Sequence, residues 1–282
     1  MNILMIGAHP DDCDFRCSGL AYLYARDGHR VRFLSMCDGS GGHHEMSCEE
    51  TAARRRGEAR EAGRAIGIEY DVWDIPDCEL VCDLETRKRL IRYIRAFRPD
   101  AIFCHRTNDY HADHRAAGLL VQDASYLLIV PHFCADAPAL REMPVILFFD
   151  DAFQNPPFRA DVVIGIDDVV ENKFRMLDRH VSQVYEWLPY THGTLEQVPK
   201  DPAARYAWLH GDPVTKDTSD EEVLRLTGYS RRFALPAAKY REALIRRYGP
   251  ERGGKIRFAE AYSVSEYGSP LTEEKARVLF PY

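Results

Sequence analysis

No apolar run in these 282 residues approaches the roughly 18 needed to cross a bilayer. The opening apolar stretch, Asn2 to Gly7, is short and runs straight into charged residues, so no secretory leader is expected and a cytoplasmic location is. Basic excess is missing too. The formal net charge is -7, and Arg54-Arg55-Arg56 sits among acids, as a charged helix face does. A nucleic-acid footprint needs a basic face, so neither nucleic acid nor membrane is expected as a partner. The second half holds no cysteine: the eight lie at 13, 17, 37, 48, 78, 82, 104 and 134, with no pair at zinc-ribbon spacing. Cys13/Cys17 and Cys78/Cys82 would share helix faces, and the plain reading is reduced thiols packed as small apolar residues. Gly-x-Gly-x-x-Gly does not follow the first apolar run, and Asp11 and Asp12 would repel a pyrophosphate there. Both facts count against a Rossmann-like nucleotide-binding or regulatory module.

What is present is an ordinary globular composition, 45% hydrophobic and 29% charged, in a chain long enough for a full core. Strand and helix patterns alternate through the first two-thirds. Strands are expected at 3–7, 31–36, 69–73, 101–104, 145–149 and 162–166. Helices are expected at 15–26, from a Ser47-x-x-Glu50 capping box to 66, at 83–97, 112–128 and 168–187. That alternation implies an α/β fold: a Rossmann-like, mostly parallel sheet with helices on both faces, the first and fourth strands adjacent at its centre. Residues 1–188 form this core. Residues 189–282, opening with a stretch rich in Pro, His and Gly, read as a C-terminal extension packed on it, with a helix at 237–248 and a strand at 255–263.

Two motifs fall at the ends of the first and fourth strands, where such sheets bind ligands. Ala8-His9-Pro10-Asp11-Asp12 follows one; Asn108-Asp109-Tyr110-His111-Ala112-Asp113-His114 follows the other. Catalytic zinc takes three protein ligands and leaves a position open. His9 and Asp12 are three apart in a turn stiffened by Pro10, and His114 faces them. Asp11 is then free to take a proton from the attacking water, and His111 to steady an oxyanion and pass a proton to the leaving amine. Asp113, between the two histidines, is placed to accept a ring N–H from one of them. Asp109 and Tyr110 flank the loop and assist at the substrate. The blander reading is that each motif only starts a helix, Asp capping backbone N–H groups. Both falling at neighbouring strand ends favours chemistry. His105, His132, His192 and His210 have no such context and read as ordinary.

These residues resemble the LmbE-like (PIG-L-type) family of zinc-dependent N-acetylglucosaminyl deacetylases. The resemblance covers Met1 to about Trp187. It rests on residues 8–12, on Arg55-x-x-Glu58, on Pro76-Asp77, on His111-x-Asp113-His114 and on Lys173 with His180-x-Ser182-Gln183. It implies zinc held by His9, Asp12 and His114, Asp11 as base, His111 at the oxyanion, and Arg55 and Asp77 on the sugar. Another divalent ion is an alternative, as availability also decides occupancy. Two features depart from the pattern: Cys78 stands where many members have glycine after Pro-Asp, and the loop at 39–44 reads Gly-Ser-Gly-Gly-His-His. Both bear on the acceptor sugar, not on the metal. The expected function is deacetylation of an N-acetylglucosamine-like substrate by a homo-oligomeric enzyme. An amidase for a thiol–sugar conjugate or another N-acyl amine is the rival.

Overall fold

The first apolar run forms β1 (Asn2–Gly7), and Ile3, Leu4, Met5 and Ile6 are fully buried. A strand covered on both faces must be apolar throughout, and each such side chain contributes on the order of 2 kcal/mol of burial. Ile3 and Met5 face one core and Leu4 and Ile6 the other, as the two-residue period dictates. The computed structural model describes residues Met1–Tyr282.

β2 (Arg30–Cys37), β3 (Glu69–Ile75), β4 (Ala101–Cys104) and β5 (Val145–Phe149) lie parallel to β1, in the order β3-β2-β1-β4-β5. The order reverses between β1 and β4. Ile6 is paired with Cys104, so the turn after β1 and the loop after β4 leave the sheet side by side. β6 (Val162–Gly165) closes the far edge.

α1 (Asp12–Arg26) and α2 (Cys48–Ile66) cover one face; α3 (Leu84–Phe97) and α4 (Ala112–Ser125) cover the other. Local chemistry sets their ends. The Ser47–Glu50 capping box opens α2, and Gly67 closes it at φ 77. The Asp83 side chain caps α3.

Three expectations need correcting. The helix expected over 168–187 is broken. α5 runs only Val170–Leu177, and a π-helical turn at Ser182–Trp187 leads into α6 (Leu188–Thr191). The break turns His180, Ser182 and Gln183 inward, all buried, Ser182 onto Glu58 and Gln183 onto the Gly42 carbonyl. Second, the helix expected at 237–248 spans a junction. After α7 (Pro202–His210) and α8 (Asp220–Val223), α9 (Gly228–Lys239) ends at Tyr240 and α10 (Arg241–Lys255) begins, itself kinked at Gly249-Pro250. Third, the C-terminal stretch does more than pack on the core. β7 (Ala259–Val264) enters the sheet between β5 and β6, antiparallel to both, before α11 (Glu273–Leu279). No helix is long and apolar enough to cross a membrane.

Candidate metal centre

The turn after β1 folds back so tightly that a Cβ at Gly7 would lie 2.7 Å from the Asp12 Cβ, which only glycine avoids. Asp12 holds the turn from inside: its Oδ2 accepts the backbone N–H of Ala8 (2.9 Å) and of His9 (2.8 Å). Asp11 occupies the helix-start position at φ 132, ψ -20, yet its side chain caps nothing. Such a backbone costs about 1–3 kcal/mol and persists only when its surroundings enforce it. Here the Asp11 N–H donates to the Tyr70 hydroxyl (3.0 Å), and Arg55 donates to the Pro10 carbonyl (2.7 Å) and the Gly39 carbonyl (3.0 Å). The capping account of this turn therefore fails for Asp11, whose carboxylate is left free.

Two histidines approach Asp12 from opposite sides. His9 Nδ1 lies 3.7 Å from Asp12 Oδ2, and His114 Nε2 lies 3.3 Å from Asp12 Oδ1. Each ring turns its other nitrogen to a separate carboxylate: His9 Nε2 lies 3.1 Å from Asp113, and His114 Nδ1 3.0 Å from Asp109. Metal-bound histidines are held in this way, one nitrogen for the ion and the other oriented by a carboxylate. Donor separations of this size match the edge of a tetrahedron with zinc bonds of about 2.0–2.1 Å. Charge agrees. Burial opposes a proton on His9, and Asp113, Asp77 and Asp12 override it, pushing its pKa up to about 10. A pocket that charges a buried imidazole attracts cations. Donor atoms within 4.8 Å of one another form the groups His9–His111–His114, Asp12–His105–His114 and His9–Asp77–His111–Asp113. The chemistry therefore suits a divalent ion, while His9, Asp12 and His114 are split between overlapping groups that share His114.

The other sequence-expected residues fall around this centre in distinct ways. Asp113 engages His9 rather than His111 or His114, and also accepts the backbone N–H of Cys78 and Leu80. Asp77 Oδ1 lies 2.9 Å from His9 Nε2, and Asp109 is buried against His114, so both carboxylates sit on these two histidine rings. Arg55 is buried behind the turn, with Nη2 3.5 Å from Asp11 Oδ1. Burial raises the Asp11 pKa, Arg55 opposes it, and the balance is about 6. His111 is the cap residue of α4, its Nδ1 accepting the Asp113 N–H, so its proton sits on Nε2. Burial, His9 and His114 lower its pKa, which favours a neutral donor over the imidazolium. Tyr110 is 71% exposed at the rim, its ring 5.3 Å from that of His114. Lys173 is buried on Glu260 (2.5 Å), joining α5 to β7, and His180 lies 3.1 Å from Asp14, which also accepts from Tyr70. These two support the site from behind.

Sequence reasoning passed over His105. It is buried at the end of β4, 3.1 Å from Asp12 Oδ2, and stacked 4.1 Å from His114. Burial and His114 pull its pKa down to about 4 against Asp12, so a neutral ring orients the carboxylate. Its place directly after a central strand was the available signal. A cleft of about 860 Å³ lies elsewhere: Met1, Asp100 and Pro144 line it at the amino ends of the strands.

A family model described as GlcNAc-PI de-N-acetylase (PIG-L) matches residues 4–125. The diacetylchitobiose deacetylase of Thermococcus kodakarensis is 30% identical over 217 residues, which span 73% of this chain and 80% of that protein. The 4-oxalmesaconate hydratase of Pseudomonas putida is 25% identical over 202 residues, 69% of this chain and 78% of that one. The structure of the N,N'-diacetylchitobiose deacetylase from Pyrococcus horikoshii is similar with a TM-score of 0.64 at 21% identity, over 94% of this chain and 84% of that chain.

Proposed function

The chain belongs to the PIG-L (LmbE-like) family, and on that footing we propose that it is a zinc-dependent hydrolase releasing acetate from an N-acetylated, glucosamine-like sugar. The observation that carries the reading is the arrangement about Asp12. His9 and His114 each offer it one nitrogen and give the other to Asp113 or Asp109. His9, Asp12 and His114 would hold the ion. When bound, zinc supplies Lewis acidity, polarising the amide carbonyl and making a water acidic near neutral pH.

The chain's own residues do the rest. Asp11, with a pKa of about 6 and no cap to serve, accepts the proton of the attacking water. Arg55 keeps that carboxylate in place. His111, protonated on Nε2, donates to the oxygen of the carbonyl as it gains charge. The C–N bond then breaks, and the proton held by Asp11 passes to the departing amine. Tyr110 at the rim and Asp77 beside His9 face the sugar.

The test is metal analysis of purified protein together with acetate release from acetylated sugars, before and after chelation. Bound zinc and chelator-sensitive acetate release are expected. Metal-free protein, or full activity in chelator, would overturn the reading. The hydratase relative favours a second reading, addition of water across the carbon–carbon double bond of an unsaturated acid at the same centre. Loss of ultraviolet absorbance from 4-oxalmesaconate without acetate release from any sugar would select it. N-acyl amines other than sugars, thiol–sugar conjugates included, belong on the same panel.

A further inference from the structure

α1 starts in the site turn, so its first turn already lines the cleft. There Phe15 meets α9 of the C-terminal segment. The Tyr229 ring lies 5.4 Å from that of Phe15, and the Arg232 guanidinium lies over the same ring at 4.0 Å. Three arginines elsewhere in the fold are fully engaged by the chain, while Arg205 rests only over the Tyr185 ring at 4.3 Å. Arg95 donates to six backbone carbonyls, Arg106 forms a two-bond pair with Asp151, and Arg241 pairs with Asp220. Arg232 has no hydrogen bond and no ion pair; only the aromatic face of Phe15 supports it.

It is exposed to solvent. Burial and Arg16 lower its pKa to about 10, against Tyr229, Asp11 and Tyr110, so it lies within the electrostatic reach of the base and the rim tyrosine. Arg16, four residues past Asp12, spends one N–H on the Asp150 carbonyl (2.6 Å) and has no carboxylate partner. The nearby Asp150 carboxylate is engaged by the Tyr240 hydroxyl (2.7 Å) and lies 3.8 Å from Lys239. Two like charges thus face one cleft without a counter-ion from the chain. Water solvates them in the free protein, and an anionic ligand can replace that water with charge-assisted hydrogen bonds.

We propose that Arg232 and Arg16 form an oxyanion subsite beside the metal centre, selecting N-acetylated amino sugars that carry a carboxylate or sulfate group. The proposal rests on the deacetylase reading and adds its substrate class. The acetamide enters the histidine–carboxylate centre while the anion meets the guanidinium groups on the α9 side. Diacetylchitobiose, which is neutral, leaves them unmet.

The zinc-loaded full chain is assayed for acetate release from diacetylchitobiose, from an N-acetylglucosamine–glucuronate disaccharide and from N-acetylglucosamine 6-sulfate. One or both acidic substrates are expected to exceed the neutral one in kcat/KM by about 10- to 100-fold, the worth of one or two charge-assisted hydrogen bonds. Which acid wins separates carboxylate from sulfate. R232Q, checked for folding by its melting temperature, is expected to collapse the ratio of acidic to neutral kcat/KM, and R232K to restore part of it. Equal use of neutral and acidic substrates by the wild type, or a ratio unmoved in R232Q, overturns the subsite. No acetate from any of the three overturns the deacetylase reading instead. The subsite is then decided by heat stability: glucuronate or glucosamine 6-sulfate must raise the melting temperature of the wild type and not of R232Q.

Discussion

The two parts of the chain that meet at the cleft reach it by different means. His9, Asp11 and Asp12 from the end of β1, and His105 to His114 from the end of β4, are delivered by backbone. Parallel strands in register place the two segments side by side before any side chain acts. The C-terminal segment arrives through side chains alone, Tyr229 and Arg232 against Phe15, while its own strand is anchored far behind the site through Glu260. Chemistry built on register tolerates little displacement and needs little from outside. A wall docked by side chains can be exchanged without disturbing the centre, which makes it the natural place for substrate choice.

The harshest test of that division is Asp11→Asn. The variant keeps the backbone contacts that hold the turn and gives up the base together with the carboxylate's charge pairing with Arg55. Zinc content is expected to be unchanged while kcat falls about 10²- to 10⁴-fold. Near wild-type turnover would remove Asp11 from the chemistry. Asp12→Ala is expected to lose the metal itself, because it takes away both a proposed ligand and the acceptor of the Ala8 and His9 N–H groups.

The C-terminal part should instead respond in stability. Lys173 and Glu260 are a buried pair, and Glu260 further accepts the N–H of Gly19 (2.9 Å) and Leu20 (2.8 Å) in α1. Lys173→Met leaves that carboxylate buried without its cation, and a loss of about 3–5 kcal/mol is expected in urea unfolding. Adding Glu260→Gln should recover part of it. A single-variant loss below about 1 kcal/mol, the worth of a surface pair, would mean that this pair does not anchor β7.

What could be read ahead of the structure follows the same line. Alternation and caps expose backbone, so β1, β4, the α2 capping box and the adjacency of the first and fourth strands were all legible. Asp12 and His105 are 93 residues apart and share no local pattern, so only the sheet reveals their contact. The break between α5 and the π-helical turn was hidden because the apolar spacing runs through it; what breaks it is the burial of polar His180, Ser182 and Gln183. β7 was expected as a strand, but its insertion between β5 and β6 is a pairing choice that periodicity does not encode. Arg232 carries no motif, and its meaning lies in the partners it does not have.

Within the register-built centre, the carboxylates behind the rings form a smaller test. Asp109→Asn and Asp113→Asn keep size and shape but weaken the hold on His114 and His9. Metal affinity or activity is expected to fall about 10- to 100-fold in each, measured by zinc titration and acetate release. If Asp109→Asn changes KM alone, Asp109 belongs to the substrate and not to His114.

The smallest effect concerns the residue after Pro76-Asp77. Cys78 has φ 70, a conformation that glycine adopts freely and other L-residues at roughly 1–2 kcal/mol. The backbone is held there because its N–H donates to Asp113 (2.7 Å), the carboxylate that orients His9. Cys78→Gly should relieve the strain without moving that N–H, since the thiol is exposed and only 3.5 Å from Asp77 at its nearest polar contact. Glycine also loosens the unfolded chain, which offsets part of the gain. The expected net is a stabilisation of about 0.5–1 kcal/mol with zinc affinity unchanged, read as a higher urea midpoint at constant slope. A destabilised Cys78→Gly protein would show that the thiol packs productively against Asp77, and that this departure from glycine belongs to the cleft rather than to the backbone.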